Sequence, residues 1–176
     1  MRRAYWIAKN CGLVILALIG AGCASTSPST VWTIATNNPS KTAIERARDE
    51  IWAKELTIYA ARGSGDLDTY ISNTSARYMG WPPGWDKPSG VEQLKASAAQ
   101  MKGQSGEELS MDLTGFTLSG DTGVIYYATH RTRLPGGAAT DQRFHVIHVW
   151  TREQGVWKLI GALGRDGSPA QQGASK

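Results

Sequence analysis

The chain holds three histidines, and two of them, His130 and His145, lie in strand-patterned runs joined by a Gly-rich turn. If that hairpin turns about Gly137-Ala138, with Gly at the first central position as a type II′ turn requires, His130 sits opposite His145. Side chains on a strand repeat every two residues. This register therefore gathers Tyr126, Ala128, His130 and Thr132 on one face with Arg143, His145, Ile147 and Val149. Two imidazoles together can act as acid and base beside a carbonyl. Arg143 would steady an anionic group there, and Tyr126 would donate a hydrogen bond. The competing reading makes them inert polar residues of a pocket wall or dimer surface, because no obvious carboxylate orients either imidazole. A one-residue slip would pair opposite faces and destroy the cluster. His148 has the other parity and is expected on an outer or dimer surface. Two histidines without a third ligand at readable spacing do not make a zinc site, and no metal or cofactor is expected.

Aromatic residues offer a second chemistry, the lining of a site for a flat or apolar ligand. Trp52, Tyr59, Tyr78, Trp81 and Trp85 supply it, with Ile147 from the histidine face. Trp52 and Tyr59 lie on a helical apolar stripe, which favours ordinary core packing for these two. Trp81 and Trp85 belong to Gly80-Trp81-Pro82-Pro83-Gly84-Trp85-Asp86-Lys87-Pro88. Proline removes donors and fixes φ, so this segment is a rigid loop presenting two indoles near a mouth. Trp150 and Trp157 are expected to pack the terminal hairpin.

These residues need elements to hold them. From Thr42, a plausible N-cap, apolar residues recur at helical spacing at Ile44, Ala47, Ile51, Trp52, Leu56 and Tyr59, until Gly63-Ser64-Gly65 stops the helix. A short helix capped by Asp66 runs to Asn73, and an extended piece covers Ala76 to Trp81. Val91, Leu94, Ala98 and Met101 mark a third helix. Beyond Gly106 the period changes to that of strands: Leu109 to Phe116, Gly123 to Leu134, Arg143 to Thr151 and Val156 to Leu163. The order predicts an α+β fold in which a curved antiparallel sheet wraps on three N-terminal helices and leaves a hollow at its open end.

The ends carry an address. Arg2, Arg3 and Lys9 precede an uncharged, apolar run from Gly12 to Gly22, too short to span a bilayer and ordered like a secretory signal. The run closes on Ile19-Gly20-Ala21-Gly22-Cys23, which resembles a bacterial lipobox with Cys23 as the acylated residue, although Gly20 stands where that motif usually has Leu. Ordinary cleavage after Ala24 is the alternative. Ala24 lacks the aspartate of an inner-membrane retention signal, so within a periplasmic envelope the outer membrane is favoured over the inner one for the lipoprotein; a secreted soluble form is the alternative. Residues 24–41 read as a tether, interrupted only by Val31, Trp32 and Ile34, residues 42–166 as one domain and residues 167–176 as a polar tail. Cys11 is lost with the signal, so no internal disulfide can form. Removing Arg2, Arg3 and Lys9 leaves 16 basic against 15 acidic residues, so the formal charge of +4 falls to about +1. With no basic run interleaved with aromatics, nucleic acid is not an expected partner.

The stretch Gly65-Asp66-Leu67-Asp68 after the first helix, the Pro-rich loop, and the hairpin Val146-Ile147-His148-Val149-Trp150-Thr151-Arg152-Glu153-Gln154-Gly155-Val156-Trp157-Lys158-Leu159-Ile160 resemble SnoaL-like and ketosteroid isomerase-like members of the nuclear transport factor 2-like superfamily. The resemblance covers about Ala43 to Arg165 and implies a cone-shaped pocket and frequent homodimers. Carried over residue by residue, the isomerases' oxyanion tyrosine falls at Ile58, their catalytic aspartate near Trp81 or Pro82, and their second oxyanion acid at Ile147. None of these side chains can hold or move the proton, so the steroid isomerase mechanism is not expected. A histidine common near the end of the last strand in related domains is replaced around Ala162 to Arg165. Three functions follow: an envelope domain binding a small, largely apolar molecule; an isomerase, cyclase or hydratase-like enzyme using His130 and His145; or a homodimerising interaction module.

Overall fold

The structure, a computed structural model, describes residues 39–167. The signal segment, Cys23, nearly all of the 24–41 tether and the tail beyond Gly167 lie outside the described residues.

Helix α1 spans Lys41–Gly63. Ser40 caps it in place of Thr42: its backbone is extended, and its hydroxyl accepts from the Ala43 N–H at 3.2 Å. The buried stripe reads Ala47, Ile51, Glu55 and Ile58, while Leu56, expected on that stripe, is 45% exposed. Helix α2 is Asp68–Asn73. Asp66 serves it from two residues upstream, its Oδ1 accepting from the Asp68 and Thr69 N–H groups. Helix α3 is Val91–Met101.

The strands are β1 (Thr74–Trp81), β2 (Ser89–Gly90), β3 (Glu108–Ser119), β4 (Thr122–Arg133), β5 (Ala139–Glu153) and β6 (Val156–Asp166). They form one sheet in the order β2-β1-β6-β5-β4-β3. Strands β3 to β6 make the expected antiparallel meander. Strand β1 adds to β6 in parallel, so the sheet is mixed. The reason is connectivity: β1 and β6 are separated by α3 and the whole meander, a crossover long enough to bring strands together in the same sense. Register shifts at Leu113/Gly115, Arg131/Arg133 and Val149/Trp150 bend the ladder, and the sheet curves without closing.

The hairpin between β4 and β5 departs from the expected register. It is wider than a two-residue turn: Leu134 N–H donates to the Ala138 carbonyl, and Gly137 N–H donates back to Leu134. His130 therefore lies opposite Arg143, and Ala128 opposite His145. The displacement is by two residues, so the residues expected to share a face still share it. That face is the outer one. The inner face carries Ile125, Tyr127, Val146, Trp150 and Leu159, which pack with Ile51 and Ile58 of α1 in the core.

Candidate functional site

Between α1, α3 and the inner face of the sheet lies a cavity of about 500 Å³. Behind its His148 wall stands Glu55, whose side chain is fully buried. Strand parity places Tyr127, His148 and Trp150 facing α1, and all three reach this carboxylate. Oε1 accepts from Trp150 Nε1 at 2.7 Å and meets His148 Nδ1 at 2.8 Å. Oε2 accepts from the Tyr127 hydroxyl at 3.2 Å. Tyr127 also lies 3.2 Å from His148 Nδ1 and 3.3 Å from the Tyr59 hydroxyl. Its ring is edge-on to Trp52, Tyr59 and His148.

Burial holds these phenols in their protonated form. Tyr127 is pushed well above its ordinary value by desolvation, then by the neighbouring Tyr59 and the Glu55 charge. Tyr59 is raised by burial and by Glu55, against a smaller opposing effect of Arg62. Tyr70 is raised well above its ordinary value by burial and by Tyr78 beside it. Among these groups His148 alone presents a basic nitrogen. Nδ1 faces the Glu55 carboxylate, and the neutral tautomer that donates from Nδ1 has its lone pair on Nε2. No hydrogen bond within the described residues engages Nε2, and the ring lines the cavity.

A second group of charges flanks Tyr59. Glu107 is buried between two guanidiniums: Arg62 Nε donates to Oε2 at 2.7 Å, and Arg131 Nε stands 2.7 Å from Oε1. The first contact is an aligned hydrogen bond, whereas the second is a close ion pair lacking hydrogen-bond alignment. Arg131 Nη1 donates to Gln142 at 3.0 Å. Both arginines line the cavity. Burial, then repulsion from Arg62, lowers the Arg131 pKa.

The aromatic side is the Pro-rich loop. Trp81 Nε1 donates to the Trp85 carbonyl at 2.6 Å, which closes the loop on itself. Both indoles line the cavity while remaining 44% and 40% exposed. Gly164 permits this packing, since a Cβ there would stand 2.8 Å from the Pro83 ring.

Of the residues singled out from sequence, Tyr59, Tyr78, Trp81 and Trp85 line the cavity. Trp52 packs against the core beside Tyr127. The expected acid–base set is elsewhere. His130, His145, Tyr126, Arg143 and Ile147 stand on the outer face, because Tyr127, Phe144, Val146, His148 and Trp150 take the inner positions. His130 is held by Asp141 at 2.6 Å and His145 by Arg165 at 3.0 Å. Arg143 borders a second hollow of about 750 Å³ that shares the Trp81–Trp85 loop. His148, expected outside, is the buried imidazole. Ile58, where the resemblance puts an oxyanion tyrosine, is core, and its neighbour Tyr59 is the phenol that reaches the cavity. The one sequence signal for Glu55 was its place between Ile51 and Ile58, since a carboxylate inside an apolar stripe must be paired.

No family model matches the chain, and no curated protein matches it. Solved structures do. An NTF-2-like protein of unknown function from Shewanella oneidensis matches with a TM-score of 0.58 at 16% identity, over 68% of this chain and 99% of that one. A ketosteroid isomerase-like protein from Erwinia carotovora atroseptica gives 0.57 at 15% identity, over 69% and 96%. The association domain of CaMKII from C. elegans gives 0.57 at 13% identity, over 69% and 96%. The chain has the nuclear transport factor 2-like fold.

Proposed function

We propose that this domain binds a small, largely apolar molecule in the cavity, on a chain exported to the envelope and anchored through acylated Cys23. The observation that carries the reading is the cavity itself: about 500 Å³, walled largely by apolar and aromatic side chains, with polar groups contributed by α1, α3, β4 and β5. Trp81 and Trp85 offer flat surfaces at its rim, and Thr129, Gln142 and His148 are positioned to fix orientation. Mass spectrometry of small molecules retained by the full chain purified from its own envelope tests this. Recovery of one stoichiometric compound, displaced when Trp81 and Trp85 are replaced by alanine, is expected. A chain that retains nothing and binds no aromatic probe would remove the reading. Incorporation of labelled fatty acid that Cys23→Ser abolishes tests the anchor.

A second reading is proton transfer, favoured by the Glu55–His148 pair. A carboxylate on Nδ1 fixes the tautomer and stabilises the imidazolium that forms when Nε2 takes a proton from a bound molecule. The enzymatic alternative drawn from sequence thus moves from the His130–His145 face to His148. A second copy of the chain is the proposed partner of the outer face, where Tyr126, Ile147 and Leu163 form a row across β4, β5 and β6.

A further inference from the structure

We propose that Arg62 and Arg131 anchor a carboxylate on the ligand of this cavity. The inference rests on the pocket-binding reading above and gives its ligand a charge.

Three observations carry it. The first is stoichiometric: two guanidiniums share the single buried carboxylate of Glu107, so the cluster holds one uncompensated positive charge. The second is geometric. Both arginines approach Glu107 through Nε, and Glu107 spends one oxygen on each. That leaves both Nη groups of Arg62, and Nη2 of Arg131, without a hydrogen-bond partner among the described residues; Arg131 Nη1 is held by Gln142. Terminal guanidinium nitrogens in a fork are the donors that match the two oxygens of a carboxylate. The third is the company they keep. Among the described residues no aspartate or glutamate lines the cavity; Glu55 lies behind His148 and Tyr127. Glu107 itself is buried behind the guanidiniums, its side chain only 1% exposed.

A monoanion fits better than a phosphate dianion, because one surplus charge is available and a second buried negative charge would lie unpaired. The guanidiniums are also braced for the role: Arg62 stacks over Tyr59 at 5.9 Å and Arg131 over Phe144 at 5.7 Å, so little side-chain freedom remains to be lost on binding. Arg62 also shares Tyr59 with the Tyr127–Glu55–His148 network, so a ligand held by its carboxylate would have its body beside His148 or the indoles. A purely structural triad, pinning the loop before β3 to α1 and β4, accounts for the Nε contacts alone.

The test uses a matched pair of probes, 2-naphthaleneacetate and 2-naphthaleneacetamide, titrated calorimetrically into the full chain. They share shape and apolar area and differ in charge. The carboxylate is expected to bind at least about tenfold more tightly than the amide. In Arg62→Gln that preference falls to within about twofold, with amide affinity retained. Equal affinities for the unaltered chain would overturn the anchor and leave the pocket reading intact, and so would a preference that survives in Arg62→Gln. Binding of neither probe would remove the pocket reading and the anchor with it. The comparison on the unaltered chain needs no variant, so it stands even where Arg62→Gln fails to fold.

Discussion

Glu55 on α1 and His148 on β5 meet at 2.8 Å although 93 residues separate them, and the same carboxylate oxygen takes the Trp150 indole N–H at 2.7 Å. Three donors from the sheet thus converge on one buried helix residue. Glu55→Gln keeps the shape and one acceptor but turns an amide NH₂ toward groups that donate. Loss of about 3 kcal/mol of stability is expected, the scale of removing one member of a buried charged hydrogen-bond set. Urea unfolding measures it. An unchanged midpoint would mean that the network contributes nothing to holding α1 on the sheet.

The three histidines separate by function. His130→Ala combined with His145→Ala alters only the outer face, so affinity for a cavity ligand should stay within about twofold of the unaltered chain. His148→Gln removes the ring that lines the cavity and should weaken a ligand that uses Nε2 by about tenfold, the value of one good hydrogen bond. If the ligand is also turned over, His148→Gln should abolish turnover while the double variant keeps it. Loss of turnover in the double variant would return the chemistry to the outer face.

Alkaline stability reports on the buried phenols. Tyr70 and Tyr127 stay protonated well above the ordinary tyrosine value of 10.0, chiefly because burial disfavours phenolate. The folded chain therefore keeps protons that the unfolded chain releases. Their contribution is complete below about pH 10 and is lost as pH climbs toward the folded values, at up to about 1.4 kcal/mol per pH unit for each tyrosine. Tyr70→Phe removes one such group. Between about pH 9 and about pH 11 the variant should lose roughly 1 kcal/mol less than the unaltered chain, measured by urea unfolding at each pH. Equal losses would show that Tyr70 ionises in the folded state as freely as in the unfolded one.

The fold was legible because element type follows from period and punctuation, and both are strong here. Gly63-Ser64-Gly65, the Pro-rich loop and the Gly-containing hairpins fixed where elements stop, and strand parity correctly grouped Tyr126, His130, Arg143, His145 and Ile147. What parity could not decide was which group faces inward. Val124, Tyr126 and Ala128 alternate with Ile125, Tyr127 and Thr129, and Ile147 and Val149 with Val146 and His148, so both faces are half apolar. The deciding residue is Trp150: an indole of that size at the centre of the terminal hairpin must be buried, and His148 shares its parity. The Glu107 cluster was beyond reach because its three members come from α1, β4 and the segment before β3, and only tertiary packing brings them together.

The outer face makes its own prediction. Tyr126, Ile147 and Leu163 form an apolar row on a sheet face that no helix among the described residues covers, with Leu163 at the end of the row that borders the cavity, and Tyr126 and Leu163 are both at least 36% exposed. Ile147→Asp places a charge at the centre of that row. If two copies associate there, light scattering should give a dimer for the unaltered chain and a monomer for the variant, with the unfolding midpoint of the monomer nearly preserved. A chain that is monomeric at millimolar concentration would exclude the interface.

Two glycine substitutions of identical chemistry should read out differently, because they press on different neighbours. At Gly123 an added Cβ would stand 2.7 Å from the Ile51 δ-methyl and 3.2 Å from the Phe116 ring, both inside the helix–sheet packing. Gly123→Ala should therefore cost about 1–3 kcal/mol of stability, the range for overfilling a packed core. At Gly164 the added Cβ would meet the Pro83 ring at 2.8 and 2.9 Å, and the ring cannot rotate out of the way. The loop that carries Trp81 and Trp85 must move instead. Gly164→Ala should shift tryptophan emission and change affinity for an aromatic probe at the cavity rim, while its urea midpoint moves less than that of Gly123→Ala. If Gly164→Ala proves the more destabilising of the two and leaves probe affinity untouched, the loop is a structural clamp and the indoles do not form the rim of the site.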